Sequence, residues 1–231
     1  MAGTNKEINA YGRQLTQIEI DAKAHRDLVG GLWDEIGVLQ INFMKEHGLA
    51  PGHDLLDVGC GALRGGIHFM RYLDSGRYYG MDINQSLIEA GKNEIHVAGL
   101  IDKQAHLLVN AKFEAHLFGK CFDYAIAQSV FTHLPINHIV RCLAEMRKVL
   151  KPTGIFFATF FEAPSAAYLD QITHTSGGIV TNYDADPFHY SFAEFEWMAK
   201  VTNMQVNLIG DWNHPRNQKM LAFRIREREA G

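Results

Sequence analysis

The amino-acid sequence predicts an α/β protein: a seven-stranded, mostly parallel sheet with helices on both faces, its last strand antiparallel, preceded by an N-terminal helical extension. Two observations predict this class. From residue 54 onward, apolar segments of strand length alternate with amphipathic segments of helix length, which is the pattern of a parallel sheet covered by helices. The last two strand candidates are joined by a loop too short for a parallel crossover, so the final strand should run antiparallel.

Each element of this sheet follows from a local pattern. Strands are predicted at 54–58, 77–82, 106–110, 122–128, 154–161, 205–210 and 219–226. Helices are predicted at 64–73, 84–98, 135–150 and 191–203. Pro135 suits the first turn of its helix, and Ser191 with Glu194 has the spacing of a capping box.

The extension comprises residues 1–50, and residues 51–231 form the single α/β domain. Apolar residues recur at steps of three and four over 8–29 and again over 32–43, which predicts two helices separated by Gly30-Gly31. These helices either pack on the sheet or mediate a homodimer, or they form a lid over a bound cofactor.

Composition limits the class of protein. A chain of 231 residues with 47% hydrophobic and 21% charged residues is typical of a globular domain with a full core. The net charge of −4 argues against a nucleic-acid partner. The cysteines Cys60, Cys121 and Cys142 lack metal-ligand spacing, and no signal-like or membrane-length apolar segment is present, so we expect a cytoplasmic protein without a membrane partner.

Acidic residues flank a glycine-rich turn at the edge of the predicted sheet. Asp57 ends the first strand, Gly59 and Gly61 form the turn, and Asp82 ends the second strand. Glycines let the backbone approach a ligand, and an acid after the second strand can hold both hydroxyls of a ribose. The pattern indicates an adenosine cofactor, although structural glycines in an ordinary strand–turn–helix remain the alternative.

The same acids discriminate between adenosine cofactors. A pyrophosphate beside Asp57 would meet a carboxylate at close range, whereas S-adenosylmethionine presents an ammonium and a sulfonium. Arg64 also occupies the position of the third glycine in the dinucleotide-binding motif. The sequence therefore favours S-adenosylmethionine, and a nicotinamide oxidoreductase is a distant alternative.

Four segments together resemble the class I S-adenosylmethionine-dependent methyltransferases, in family order and with family-like spacing. They are 55–61, 79–82, 122–135 and 146–154. The resemblance covers roughly residues 54–161 and implies a Rossmann-like sheet, but it does not identify the substrate. The spacing from Gly61 to Gly65 is wider than in many members, which leaves the role of Gly65 open.

The resemblance implies which residues bind the cofactor: the turn and Asp57 for the methionine part, Asp82 for the ribose, and the ends of the next strands for the adenine and sulfonium. The residues are Asp57, Gly59, Cys60, Gly61, Asp82, Ile83, Asn110, Ala111, Gln128 and Ser129.

Ligands of open α/β sheets bind beyond the carboxyl ends of the parallel strands. This rule assigns residues 129–133, the long connection 161–190 and the loop 211–218 to the substrate side. The predicted substrate-binding residues are Tyr190, Trp212, His214 and Arg216.

Transfer to a hydroxyl requires a base, and a histidine suits that task at neutral pH. His133 is the best placed, although it could instead cap the following helix or pack under the cofactor; His189 is the second candidate. No acids beside a histidine have metal-ligand spacing, so no metal is expected.

We therefore expect an S-adenosylmethionine-dependent methyltransferase that acts on a small polar molecule, through a hydroxyl of a sugar, glycan precursor or secondary metabolite. An RNA or protein methyltransferase and a non-catalytic S-adenosylmethionine-binding protein are the alternatives.

Overall fold

A computed structural model describes residues 10–226 of the chain. The strands are β1 (Leu55–Val58), β2 (Tyr78–Asp82), β3 (His106–Val109), β4 (Phe122–Ala127), β5 (Leu150–Phe160), β6 (Ile172–Thr173), β7 (Val180–Thr181), β8 (Met204–Gly210) and β9 (Lys219–Ile225). The α-helices are α1 (Gln17–Asp21), α2 (Ala24–Leu28), α3 (Trp33–Glu46), α4 (Gly66–Tyr72), α5 (Gln85–Val97), α6 (Ile136–Val149) and α7 (Phe192–Val201). Each of these helices is too short or too polar to cross a bilayer.

The main sheet has seven strands in the order β3-β2-β1-β4-β5-β9-β8. Strands β1 to β5 are parallel to one another, while β9 is antiparallel to both β5 and β8. This confirms the predicted fold, including the antiparallel last strand. Strand β5 begins four residues before the predicted start because Leu150 pairs with Phe122, and a bulge in the pairing accommodates Pro152.

Two hydrophobic clusters cover opposite faces of the sheet. Successive residues of a strand point to opposite faces, so Leu56 lies in one cluster and Leu55 in the other. The first cluster includes buried residues of α6 and α7, and the second includes buried residues of α3, α4 and α5. All four residues of β1 are buried, which places its end in the middle of the molecule.

The N-terminal segment differs from the single helix predicted at 8–29, whose first residue, Ile8, lies outside the described part of the chain. A 3₁₀ turn at Ala10–Gly12 leads into non-helical chain before α1. Thr16 and Glu19 form a capping box that starts α1, and Lys23, with φ of +61°, separates α1 from α2. The prediction of one continuous helix was wrong because these local signals interrupt the apolar periodicity.

Residues 11–15 are fixed to the start of α5 by side-chain bonds to the main chain. The buried Asn84 donates from Nδ2 to the carbonyl oxygens of Tyr11 and Arg13, each at 2.7 Å, while its Oδ1 caps α5. The amide of Leu15 donates to Ser86 Oγ at 2.8 Å. The N-terminal segment is thereby held across the carboxyl edge of the sheet.

Helix α2 is fixed to α5 by a charged cluster. Glu94 accepts from Arg26 Nε and Nη2, each at 2.8 Å, and its Oε1 lies 2.8 Å from the Nε2 of the buried His25. The Arg26 guanidinium also lies 4.6 Å from the centroid of the Trp33 ring. The Glu94 carboxylate and the Arg26 guanidinium can lie next to the core because they are paired and hydrogen-bonded to each other.

The long connection between β5 and α7 contains the small β6–β7 hairpin and is tied to the chain that follows β4. The Phe188 amide donates to the Thr132 carbonyl at 2.7 Å, and the Tyr190 hydroxyl donates to the Leu134 carbonyl at 2.6 Å. The connection is therefore an ordered part of the domain, packed beside the carboxyl end of β4.

Replacing Asn84 by alanine should release residues 11–15, because two carbonyl oxygens lose their donor and α5 loses its cap. We expect a loss of about 1–3 kcal/mol in the free energy of unfolding. Urea denaturation measures the loss, and hydrogen exchange localises it. Asn93, exposed on α5, supplies the control variant Asn93→Ala; equal stability of the two variants would contradict the prediction.

Candidate active site

A cavity of about 490 Å³ opens at the carboxyl ends of β1, β2 and β4. Its wall contains all ten residues that the sequence predicts to bind the cofactor, together with His133. They are Asp57, Gly59, Cys60, Gly61, Asp82, Ile83, Asn110, Ala111, Gln128, Ser129 and His133. Three residues of the N-terminal segment, Tyr11, Gly12 and Val29, also line it.

The turn after β1 requires glycine at two positions. Gly59 and Gly61 have φ values of +68° and +53°, in the left-handed region. A Cβ at Gly59 would lie 2.5 Å from Val130 Cγ2, and one at Gly61 would lie 2.9 Å from Val29 Cγ1. The two glycines therefore let side chains from two other parts of the chain pack directly against the backbone of the turn.

Two buried carboxyl groups lie at the ends of β1 and β2. Burial raises the pKa of Asp57 to about 7, against the effect of the bond that its Oδ2 accepts from the Tyr78 hydroxyl at 2.8 Å. Burial also raises the pKa of Asp82, whose two oxygens accept from the amides of Gly61 and Asn84 at 2.9 and 2.8 Å. The site thus concentrates negative charge in an environment that disfavours it.

Arg64 connects the cavity wall to the Gly-Gly linker before α3. Its Nη1 donates to the carbonyl oxygens of Val29 and Gly31 at 2.9 and 2.8 Å, and its Nη2 donates to Gln128 Oε1 at 2.7 Å. Burial lowers the pKa of Arg64 to about 10, so the guanidinium remains charged at neutral pH. In the sequence, Arg64 was visible only as a departure from the dinucleotide-binding glycine pattern; its hydrogen bonds to the linker and to Gln128 were not predicted.

His133 lines the cavity and lies in a 3₁₀ turn between β4 and α6. Its Nδ1 lies 2.5 Å from Asp186 Oδ1, and its Nε2 lies 3.1 Å from the Tyr11 hydroxyl. Three distant parts of the chain therefore meet at one imidazole. Neither Tyr11 nor Asp186 was predicted as a site residue.

Two of the predicted site residues lie away from the cavity. His189 is fully buried; its Nδ1 lies 2.9 Å from Thr181 Oγ1 and its Nε2 lies 2.9 Å from the Tyr168 carbonyl oxygen. Tyr190 packs in the core beneath α6 and α7. Both side chains are used in supporting the connection, which corrects their assignment to catalysis and to substrate binding.

Trp212 also belongs to the structural framework instead of the substrate side. Its Nε1 donates to the Gln218 carbonyl oxygen at 2.9 Å, and its ring packs edge-on against Phe43 of α3 at 5.5 Å between centroids. An aromatic residue in a loop thus fills the second hydrophobic cluster, which corrects the predicted contact with substrate.

His214 and Arg216 lie one layer behind the cavity wall. His214 Nε2 is 3.1 Å from Gln128 Nε2, and burial, with the charges of Arg64 and Arg216, lowers the pKa of His214 to about 3. Arg216 Nη2 donates to the Gly30 carbonyl oxygen at 2.6 Å. The predicted substrate contacts are therefore replaced by support of Gln128 and of the Gly-Gly linker.

Known proteins match both the sequence and the fold. Residues 55–154 match the family model described as a methyltransferase domain. The ubiquinone/menaquinone biosynthesis C-methyltransferase UbiE of Marinomonas sp. (strain MWYL1) is 23% identical over 203 residues, which cover 81% of this chain and 76% of that protein. UbiE of Brucella abortus (strain S19) is 33% identical over 126 residues, 53% of this chain and 45% of that protein.

Solved structures share the architecture at low sequence identity. The CcbJ methyltransferase from Streptomyces caelestis has a TM-score of 0.66 at 13% identity, covering 96% of this chain and 100% of its own. Magnesium protoporphyrin IX methyltransferase (ChlM) from Synechocystis PCC 6803 with bound SAH has a TM-score of 0.57 at 13% identity, covering 92% of this chain and 89% of its own.

The residues of the cavity fit the cofactor of these proteins, because a close-approach glycine turn and two buried carboxyl groups suit a nucleoside that carries positive charge. Residues 55–154 therefore form a methyltransferase domain that resembles the class I S-adenosylmethionine-dependent family, and S-adenosylmethionine is its cofactor.

Proposed function

We propose that this methyltransferase acts on a hydroxyl group of a small polar molecule, such as a sugar, a glycan precursor or a secondary metabolite. The observation that carries the proposal is the position of His133, which lines the same cavity as the predicted cofactor-binding residues. A hydroxyl must lose its proton when it takes a methyl group, and an imidazole within hydrogen-bond reach can accept that proton. His133 is the catalytic base in this proposal.

The cavity residues divide the cofactor between them. Asp57 and the turn Gly59–Gly61 hold the methionine part, and Asp82 holds the ribose hydroxyls. Ile83, apolar and half exposed in the cavity, packs against the adenine beside Asn110 and Ala111. When bound, S-adenosylmethionine supplies an electrophilic methyl group on its sulfonium.

Gln128 and Ser129 orient the reacting end of the cavity. Ser129 has φ of +57°, and its amide donates to Thr159 Oγ1 at 2.7 Å, so the backbone at the end of β4 is held in an uncommon conformation. Gln128 Nε2 donates to Ser129 Oγ at 2.6 Å. Methyl transfer needs nucleophile, carbon and sulfur on one line, and a fixed wall supports that alignment.

The N-terminal segment acts as a lid in this proposal. Tyr11, Gly12 and Val29 line the cavity, and arginine side chains hold the carbonyl oxygens of Val29, Gly30 and Gly31. Opening these bonds would give the cofactor a route to and from its site. The alternative role of the extension, a homodimer contact, stays a prediction.

Replacing His133 by glutamine should lower the rate of methyl transfer by about 10²- to 10⁴-fold, because glutamine cannot accept the hydroxyl proton. Affinity for S-adenosylmethionine should stay unchanged. A screen of hydroxylated small molecules with methyl-labelled cofactor identifies the acceptor and measures the rate. His96→Gln, on the exposed side of α5, is the control.

Three results of this screen would contradict the proposal. Label transferred to RNA or protein, and to no small molecule, would favour the macromolecular alternative. Label on carbon would place this chain with the C-methyltransferase named UbiE. Cofactor binding without transfer to any acceptor would indicate a non-catalytic binding protein.

Affinity for S-adenosylmethionine should rise with pH. The pKa of Asp57 is raised to about 7, so this carboxyl is mostly protonated in the free protein below pH 7, and a positively charged ligand must displace that proton. Below this pKa the affinity should increase by up to about tenfold per pH unit, and above it the increase should stop. Calorimetry in two buffers measures both affinity and released protons.

The matched variant for this titration is Asp57→Asn, which cannot ionise and should bind with an affinity that does not change across the same pH range. A wild-type affinity that is also independent of pH would show that Asp57 does not interact with the positive charge of the cofactor.

Replacing Arg216 by alanine should speed the release of S-adenosylhomocysteine, because the Gly30 carbonyl oxygen loses its charged donor and the lid is held less firmly. An increase of about 3- to 10-fold in the dissociation rate corresponds to one hydrogen bond. Stopped-flow fluorescence gives this rate, with Arg71→Ala, at an exposed position of α4, as the control. Identical rates in the two variants would argue against the lid.

A further inference from the structure

We propose that Asp186 is a positioning residue for methyl transfer: it fixes His133 in the tautomer that carries its proton on Nδ1, so that Nε2 is the nitrogen that receives the acceptor's proton. This inference rests on the proposed function, since it assigns a role to a second residue of the same site.

The contact between the two side chains determines the tautomer. Asp186 Oδ1 lies 2.5 Å from His133 Nδ1, and the two side chains are only 23% and 20% exposed. An ionised carboxylate can only accept hydrogen bonds, so the hydrogen of this contact belongs to Nδ1. In the neutral ring the other nitrogen, Nε2, is then an acceptor.

The Tyr11 hydroxyl is compatible with the same arrangement. It lies 3.1 Å from Nε2 and, as a donor, matches an imidazole with an unprotonated Nε2. Burial raises the pKa of Tyr11, and the charge of Asp186 adds to that effect, so the phenol keeps its proton. This hydroxyl marks where an acceptor hydroxyl can meet the base.

The connection 161–190 holds Asp186 at this position. On one side of it, the Phe188 amide donates to the Thr132 carbonyl oxygen, next to His133 itself, at 2.7 Å. The Asn182 amide donates to the Pro187 carbonyl oxygen at 2.9 Å, which closes the loop that carries Asp186. The carboxylate and the imidazole are thus supported by one hydrogen-bonded framework.

The chemical step conserves atoms and charge. The acceptor oxygen forms a bond to the methyl carbon as the carbon–sulfur bond breaks, and the electron pair of that bond remains on sulfur in S-adenosylhomocysteine. The hydroxyl proton passes to Nε2 of His133 and later to water. Asp186 accepts the hydrogen bond from Nδ1 and stabilises the positive ring that forms.

Nitrogen NMR of protein labelled in its histidine rings tests this assignment directly, with S-adenosylhomocysteine bound and no acceptor present. The two nitrogen shifts of His133, assigned by their absence in His133→Gln, should show a protonated Nδ1 and an unprotonated Nε2. In Asp186→Asn the protonated-Nδ1 form should lose its dominance, because an amide can donate to Nδ1 as well as accept from it.

The control variant is Asp184→Asn, two residues earlier and exposed on the same connection. It should leave the His133 shifts as in the wild type. Affinity for S-adenosylhomocysteine should be the same in all three proteins, which shows that Asp186→Asn is folded. A His133 ring that keeps the proton on Nδ1 in Asp186→Asn would overturn the proposal.

Kinetics with the acceptor found by the screen give the second readout. Asp186→Asn should lower kcat by about 10²-fold or more while KM for S-adenosylmethionine stays constant, since only the proton transfer is impaired. An unchanged kcat would also overturn the role. If the wild type methylates no acceptor, the proposed function fails, while the NMR result still decides the pairing of Asp186 with His133.

Discussion

The burial of two carboxyl groups at the ends of adjacent parallel strands is the constraint around which this molecule is organised. Asp57 and Asp82 lie where β1 and β2 stop, and burial raises the pKa of each. Hydrogen bonds from Tyr78, from the glycine turn and from the start of α5 oppose this cost. A cationic nucleoside would be attracted by the charge that these carboxyl groups carry when ionised, which is the basis of the proposed cofactor contacts.

Two segments outside the central sheet complete the cavity, and they do so from opposite directions. The N-terminal segment crosses the carboxyl edge and brings Tyr11, while the connection before α7 brings Asp186. Both reach the same imidazole, that of His133. The carboxyl ends of the sheet strands therefore supply the acidic and glycine-rich part of the cavity wall, and the two added segments meet at His133.

The sheet, and the grouping of the predicted cofactor residues around one cavity, could be predicted because their signals are local: an apolar strand, a glycine turn and an acid occur within a few residues of each other. Tertiary packing decided the rest. Tyr190 and Trp212 are aromatic residues at the active edge by sequence, yet both fill the core. The role of Asp186 depends on one contact across 53 residues, which no periodicity records. The break between α1 and α2 was not predicted, because the apolar periodicity over 8–29 was read as one helix and the capping box at Thr16 and Glu19 was overlooked.

Two stretches of the N-terminal segment, 11–13 and 29–31, are held through their main chain. Asn84, Arg64 and Arg216 bind carbonyl oxygens of this segment, which every amino acid possesses. At positions 11 and 13 these bonds form whatever side chain the residue carries. Evolution, or a protein engineer, could exchange the residue at position 11 to reshape the entrance for a different acceptor without rebuilding the scaffold that carries it.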